Sequence, residues 1–375
     1  MDFSFSEEQT LLRNSVQSWL RDKYDFETRR KIVSGAEGWR RDYWRQFAEL
    51  GLLGMLFPEE QGGLGGGPVE AMIVMEEFGR HLVVEPYLET IVLAGGLLRD
   101  GGTAAQHKAH LPGLIGGEEV WTLAYAESQG RYNLADLVTT AKKQGASYVI
   151  NGHKAMVFAG PWADKLIVTA RSSGGQRDRS GVSLFIVNKK AAGVSTRDYP
   201  TVDGRRASEI SFENVKLDAD ALIGEEDNGL GLLEAVTDQA IGALCAEAIG
   251  AMKELNEATV DYTKTRKQFG VPIGKFQALQ HRMVDMFIAH EQSISMTYLV
   301  NLKLGEAEAE RRRAASGAKV QIGKAGKLIG QEAVQLHGGM GVTDELNVGH
   351  YFKRLAIIDT QFGNIDHHLK RYAAA

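Results

Sequence analysis

Over the first hundred residues apolar side chains recur at helical spacing. Leu11, Leu12, Val16, Trp19 and Leu20 follow Ser6 and Gln9, which stand as a capping box. A second helix is predicted over "WRRDYWRQFAELG", closed by Gly51. The glycine-rich "EEQGGLGGGPVE" comes next; it lacks the Lys-Ser/Thr ending of a phosphate-binding loop and no strand clearly precedes it. It reads as a plain connection, after which "AMIVMEEFGRHLVVEPYLET" resumes the helical pattern.

Between Gly116 and about Gly224 the texture changes. "VWTLAYAE", "LVTTAKK", "SYVINGHKAMVFAG", "DKLIVTAR", "VSLFIVN" and "EISFENVKL" are short β-rich runs, separated by turn residues at the spacing of an antiparallel barrel. From Gly229 the helical period returns. Leu233, Val236, Ala240, Leu244, Ile249, Met252, Leu255, Thr259 and Tyr262 trace a stripe too long for a lone exposed helix. Phe276, Leu279, Met283, Met286 and Phe287 start a second long helix, "ASGAKVQIGKAGKLIGQEAVQLHGG" supplies a third, and a fourth runs from about Gly349. The expected fold class is α+β multidomain: an N-terminal helical domain (1–116), a central β-barrel (117–226) and a C-terminal four-helix bundle serving oligomerisation (227–375).

Composition narrows the function. Lys+Arg 43 against Asp+Glu 48 leaves a formal charge of −5, with no Lys/Arg block of the length that nucleic acid or a membrane surface calls for. The single cysteine, Cys245, excludes an intramolecular disulfide, and "MDFSFSEEQ" has neither the basic region nor the apolar core of a signal peptide. A cytoplasmic location is expected. No run approaches the ~20 apolar residues of a spanning helix, so membrane insertion is not expected.

The candidate chemistry lies in "YTKTRKQFGVPIGKFQALQHRMVDMF", residues 262–287, where the helical run breaks at Gly270 and Pro272 and resumes at once. Lys267 to Gly274 reads as a tight connector. A cation in a last helical turn commonly serves only the helix dipole, and Arg266 has that plain reading. Its neighbours add another: Phe269 and Gln277 cluster around the same turn, and "VQLHGGMG" (334–341) is a second helix end opening into glycines. Such glycines admit an anion close to the backbone, and a guanidinium can grip a pyrophosphate with two hydrogen bonds. Aromatic carbon on Phe269 or Phe276 suits a flat ring system, so the sum points towards a dinucleotide.

At these residues the chain resembles the acyl-CoA dehydrogenase family. "DYTKTRKQFGVPIGKFQALQ" is similar to the family's C-terminal signature and "QLHGGMGVTDE" to its second glycine-bearing segment, and the order of helical, β and helical thirds matches too. In detail the chain is most similar to small subunits of the pimeloyl-CoA dehydrogenase type, through "MDFSFSEEQ", "VQLHGGMGVTDE" and "FGNIDHHLKR". The resemblance implies FAD chemistry, in which a carboxylate removes the α-proton of an acyl-CoA and the β-hydrogen leaves as hydride to the flavin, giving the 2-enoyl-CoA. It assigns Arg266, Gln268, Phe269, Ile273, Phe276, Gln277, Gln335, Gly338 and Gly339 to the adenine-diphosphate end of an FAD bound mainly by the neighbouring subunit.

The family pattern fails elsewhere. Its usual base is the glutamate of an "EGT" segment; "DTQFGNID" puts Phe362 there and Asn364 at the threonine. An alternative base position, on the long helix, falls at Ala240. "AESQGRYN" keeps Glu127 of the "TEPxxGSD" segment but has Arg131, Tyr132 and Asn133 at its last three positions, and "MVF" (156–158) replaces "WIT". Asp366 and Glu247 lie about one and two helical turns from the base positions, though each reads first as a solvated or ion-paired side chain. His367 and His368 lack the company of a ligand quartet, and no metal is assigned.

The expectation is a degenerate smaller subunit that completes the FAD site of a catalytic large subunit, as a heterodimer or α2β2, with an acyl-CoA as substrate and electron-transfer flavoprotein as acceptor. Two alternatives stand beside it: a self-sufficient flavoprotein dehydrogenase or oxidase with a relocated base, and a flavin-free structural or binding subunit.

Overall fold

Ser6 opens the first helix as its neighbours dictate. In the computed structural model, which describes residues 4–375, its Oγ accepts from the Gln9 N–H (3.2 Å) and the Gln9 side chain accepts from the Ser6 N–H (3.0 Å), capping α1 (Glu7–Lys23). The first three residues of "MDFSFSEEQ" lie outside the described residues. α2 (Phe26–Ser34) and α3 (Arg41–Glu49) follow, and Gly51, at φ +76°, turns the chain away after α3. The glycine-rich stretch is a connection containing one short 3₁₀ turn, Glu59–Gln61, and it leads into α4 (Pro68–His81). A π-helical segment, Leu88–Ala94, then runs into α5 (Gly95–Gly101), and α6 (Ala104–Ile115) closes the region. Every residue of 88–94 is buried, which explains why periodicity does not delimit this segment.

The central strands are β1 (Trp121–Ala124), β2 (Thr140–Gln144), β3 (Ser147–Phe158), β4 (Lys165–Arg171), β5 (Val182–Asn188), β6 (Val194–Pro200), β7 (Arg206–Asp218) and β8 (Leu222–Ile223). They form one sheet in the order β6-β7-β3-β2-β4-β5-β8, with β1 added beside β4. The pairing is antiparallel with two exceptions that spacing does not foretell: β1 runs parallel to β4, and β2 meets β4 in a parallel pair, Thr140 with Arg171. Alternate residues converge on one core, among them Tyr148, Ile150, Leu166, Val168, Phe185, Val187, Ile210 and Phe212, as a sheet wrapped around its own interior requires.

The C-terminal third contains α7 (Leu230–Thr265), a hairpin of β9 (Lys267–Gln268) and β10 (Val271–Pro272), α8 (Gln277–Lys303), α9 (Glu308–His337), α10 (Asn347–Thr360) and α11 (Ile365–Ala373). Leu244, Cys245, Ala246, Ala248 and Ile249 are all buried, so α7 is enclosed on every side at its middle. Glycines make part of this possible. A Cβ on Gly79 of α4 would sit 1.9 Å from the Glu247 carbonyl oxygen, and one on Gly250 would sit 1.9 Å from that of Glu76. The two backbones therefore touch where no other residue fits.

The last helix of the bundle is in two parts. It breaks between α10 and α11, where Phe362 (φ +57°) and Gly363 (φ +120°) leave helical space and Asn364 caps the new helix by accepting from the His367 N–H at 3.0 Å. By packing, the chain divides into two compact units. One gathers the residues up to Ser34 with Pro68–Val83 and Ile241–Ala375; the other comprises Gly35–Gly67 and Val84–Ala240. Among the described residues no helix is long and apolar enough to cross a membrane, and no three His, Cys, Asp or Glu side chains gather as metal ligands.

Candidate functional site

The break that drew attention to residues 262–287 is a β-hairpin. The Arg266 N–H still bonds back to Tyr262 O (2.8 Å), while Arg266 O accepts from the Ile273 N–H (2.8 Å), and β9 pairs with β10 between them. Phe269 (φ +54°) and Gly270 (φ +80°) form the two-residue tip, a turn that favours Asn-Gly because both positions need left-handed backbone. A bulky residue pays roughly 1–2 kcal/mol to sit there. Phe269 nevertheless occupies the position with 91% of its surface exposed, its one aromatic neighbour among the described residues being the Phe276 ring, edge-on with centroids 6.1 Å apart.

Arg266, Gln268, Gln277 and Gln335 are exposed as well, and none of their side chains makes a hydrogen bond or ion pair with a described residue. Ile273 is half-buried in the 3₁₀ turn Ile273–Lys275 that leads into α8. Gly338 and Gly339 lie just past the end of α9, and a Cβ on either would meet no atom within 4 Å. Tyr262 brings the two segments together by stacking on His337, ring centroids 4.3 Å apart. Arg266 is one turn beyond Tyr262 and Gly338 is the residue after His337, so both segments share one end of the α7–α9 pair. An unpaired guanidinium, open glycine backbone, free amides and an aromatic ring suit a dinucleotide's diphosphate end.

The base positions present a different picture. Phe362 sits on the α10–α11 turn, which is held from beneath: Lys319 Nζ donates to the carbonyls of Asp359 (2.9 Å) and Gly363 (2.8 Å), and His368 Nε2 lies 3.1 Å from Phe362 O. Burial, helped by the Lys319 charge, pushes the His368 pKa down to about 2, so it is a neutral imidazole donating through Nε2. Burial likewise lowers Lys319 to about 8. Arg354 forks onto the Glu247 carboxylate (Nε–Oε1 2.6 Å, Nη2–Oε2 2.7 Å) and gives Nη1 to Gln361 Oε1 (3.1 Å). Glu247 is thus buried in a bidentate pair, Asp366 is exposed on the first turn of α11, and Ala240 is fully buried.

Lys319, Arg354 and Gln361 are missing from the residues that sequence reasoning singled out, and His368 enters there only as a metal ligand that is not assigned. Only Lys319 leaves a local trace, as a charge standing between Ala315, Ala318 and Ile322 on an otherwise buried stripe. In the β-domain, Glu127 accepts from the Val138 N–H (2.7 Å), the Thr139 N–H (3.2 Å) and Lys154 Nζ (2.6 Å), and Lys154 also reaches Thr169 Oγ1 (3.0 Å). Burial alone would raise the Glu127 pKa; Lys154 and the hydrogen bonds outweigh it and hold it low. Lys154 itself is lowered to about 8 by burial. This pair anchors the loop carrying Arg131, Tyr132 and Asn133, of which Arg131 (φ +48°) is exposed. Met156 (φ +51°) stands 43% exposed on a bulge of β3.

A helical N-terminal segment, a curled β-domain and a long-helix bundle whose hairpin presents Arg and Phe define the fold of flavin-dependent acyl-thioester dehydrogenases. The chain belongs to the acyl-CoA dehydrogenase family, whose members are FAD-dependent oxidoreductases: it matches that family's N-terminal domain over residues 6–118, its middle domain over 122–215 and its C-terminal domain over 227–375. It is 32% identical to the acyl-CoA dehydrogenase FadE12 of Mycobacterium tuberculosis over 368 residues, covering 92% of this chain and 90% of that one. It is 30% identical to the mitochondrial isovaleryl-CoA dehydrogenase of Pongo abelii over 354 residues, covering 93% and 84%. Among solved structures, a chain of the ChsE4-ChsE5 complex of Mycobacterium tuberculosis superposes with a TM-score of 0.90 at 25% identity, covering 100% and 98%.

Proposed function

We propose that this chain is the smaller, catalytically degenerate subunit of a heteromeric acyl-CoA dehydrogenase, of the pimeloyl-CoA dehydrogenase small-subunit type. It completes the FAD site of a glutamate-bearing larger subunit, in a heterodimer or α2β2 tetramer. The pair desaturates an acyl-CoA to the 2-enoyl-CoA and passes electrons to electron-transfer flavoprotein in the cytoplasm. The carrying observation is a contrast: the Arg266–Phe269 hairpin is intact and unpartnered, whereas Phe362 and Ala240 offer no proton acceptor and Glu247 is consumed by Arg354. A relative solved as a two-component complex, ChsE4-ChsE5, supports the reading.

Bound FAD supplies the hydride acceptor. This chain's part is to bind and orient it: Arg266 holds the diphosphate, Phe269 and Phe276 cover its flat surface, and the open backbone at Gly338 and Gly339 admits it closely. Gln268, Gln277 and Gln335 donate hydrogen bonds, and Ile273 sets the turn. The division into residues 1–116, 117–226 and 227–375, the last making the subunit contacts, belongs to the same proposal.

The test is purification of the chain alone and co-expressed with a glutamate-bearing large subunit, with visible flavin spectra and acyl-CoA turnover measured for both. Turnover is expected only with the partner, and Arg266→Ala should weaken flavin retention about 10- to 100-fold by removing one charge-assisted contact. Robust 2-enoyl-CoA formation by the homomer, abolished by Asp366→Asn or Glu247→Gln, would overturn the proposal.

A further inference from the structure

A cleft of 610 Å³ opens within the β-containing unit, where the α2–α3 connection faces the turns before β4 and before β6. Two buried tryptophans form its wall. Trp39 and Trp162 stack with centroids 5.5 Å apart and planes at 25°, and Trp162 Nε1 donates to Glu37 O (2.7 Å). Three cations are arranged around this wall. Arg41 lies over Trp39 at 5.3 Å and gives Nη1 to Glu118 O (3.3 Å), Lys189 Nζ donates to Pro161 O (2.7 Å), and the Lys190 ammonium has no partner among the described residues.

Arg41 and Lys189 each spend one donor on a neutral carbonyl and Lys190 spends none, so all three keep N–H donors to spare and none is hydrogen-bonded to a carboxylate among the described residues. Of the two lining carboxylates, Asp164 accepts from the Val120 N–H (2.9 Å), and Glu37 is exposed with its side chain unpartnered. Half-burial pushes Lys189 below the usual lysine range, a cost that a bound anion would offset. The volume lies within the ~300–1,000 Å³ typical of small-molecule sites.

We propose that this cleft binds a small phosphorylated metabolite, its phosphoryl oxygens held by Arg41, Lys189 and Lys190 and its hydroxyl-bearing body set against Glu37 and the tryptophan wall. Nothing in this site depends on the subunit role proposed above. The same chemistry has two sources, a free nucleotide or the phosphate-bearing end of CoA.

Calorimetric titration of the purified full chain, with tryptophan fluorescence as a second readout, tests it with AMP, adenosine, inorganic phosphate and CoA. Saturable AMP binding is expected, at least about tenfold tighter than adenosine and weakening with added salt. Lys190→Ala, at an exposed position, and Arg41→Ala should each weaken AMP about tenfold. CoA that competes with AMP and loses affinity in both variants identifies CoA as the source; CoA that binds without competing identifies a free nucleotide. No saturable binding of AMP, CoA or phosphate overturns the proposal. So does AMP affinity that is equal to that of adenosine or unchanged in Lys190→Ala.

Discussion

Phe269 is a side chain in the wrong place for stability. A β-hairpin tip of this type prefers Asn, and Phe269 combines left-handed backbone with near-complete exposure. Phe269→Asn should stabilise the isolated chain by about 1 kcal/mol. If the ring covers a partner's flavin, the same substitution should lower flavin retention in the complex. Denaturant unfolding and FAD titration measure the two effects separately, and unchanged retention would remove Phe269 from the flavin site. Glu247 makes the opposite case. Replacing it by Gln strands the Arg354 charge in a buried setting, so a loss of about 3–5 kcal/mol is expected in chemical denaturation. A catalytic base would in addition lose turnover in the protein that remains folded.

At the scale of elements, the α10–α11 turn is the segment whose shape most needs explaining. Two consecutive residues leave helical space, and their carbonyls would be buried without partners were Lys319 and His368 not beneath them. Lys319→Met keeps the length of the side chain but removes the donor to Asp359 O and Gly363 O. It should cost about 1–3 kcal/mol in denaturant unfolding, with faster hydrogen exchange at residues 361–364. A variant as stable as the wild type, with unchanged exchange, would show that the turn holds itself. The α4–α7 contact follows the same logic with no polar atoms: glycine at 79 and 250 lets carbonyls approach where a methyl group has no room.

For the whole molecule, acid is the weak side. Burial lowers the pKa of His110, His290, His337, His350, His367 and His368 below the ordinary histidine value. The unfolded chain takes up protons near pH 6.5 that the folded chain refuses. The contribution of these histidines is therefore full above that pH and falls as pH drops through it, by up to ~1.4 kcal/mol per pH unit for each histidine still neutral in the fold. Denaturant curves at pH 7.5, 6.5 and 5.5 should show the decline. His368→Gln should make it shallower by up to one histidine's share, and an unaltered slope would mean that His368 does protonate in the folded chain.

The order of helical, β and helical segments, the Ser6 cap and a tight connector between two long helices were legible in the chain itself, because periodicity, capping chemistry and the Gly270–Pro272 break are local properties; that the connector is a β-hairpin was not. The resemblance at Arg266 and Gly338 rested on equally local motifs. What the tertiary structure alone decided are pairings between distant residues. Glu247 finds Arg354, Lys319 finds Asp359 and Gly363, β1 lies parallel to β4, and Trp39 stacks on Trp162. None of these partners stands within one helical turn or one strand of the other. A buried charge is satisfied by whichever group the packing of whole elements brings within hydrogen-bond reach, and that approach is fixed by the core as a unit, not by the neighbours of the charge along the chain.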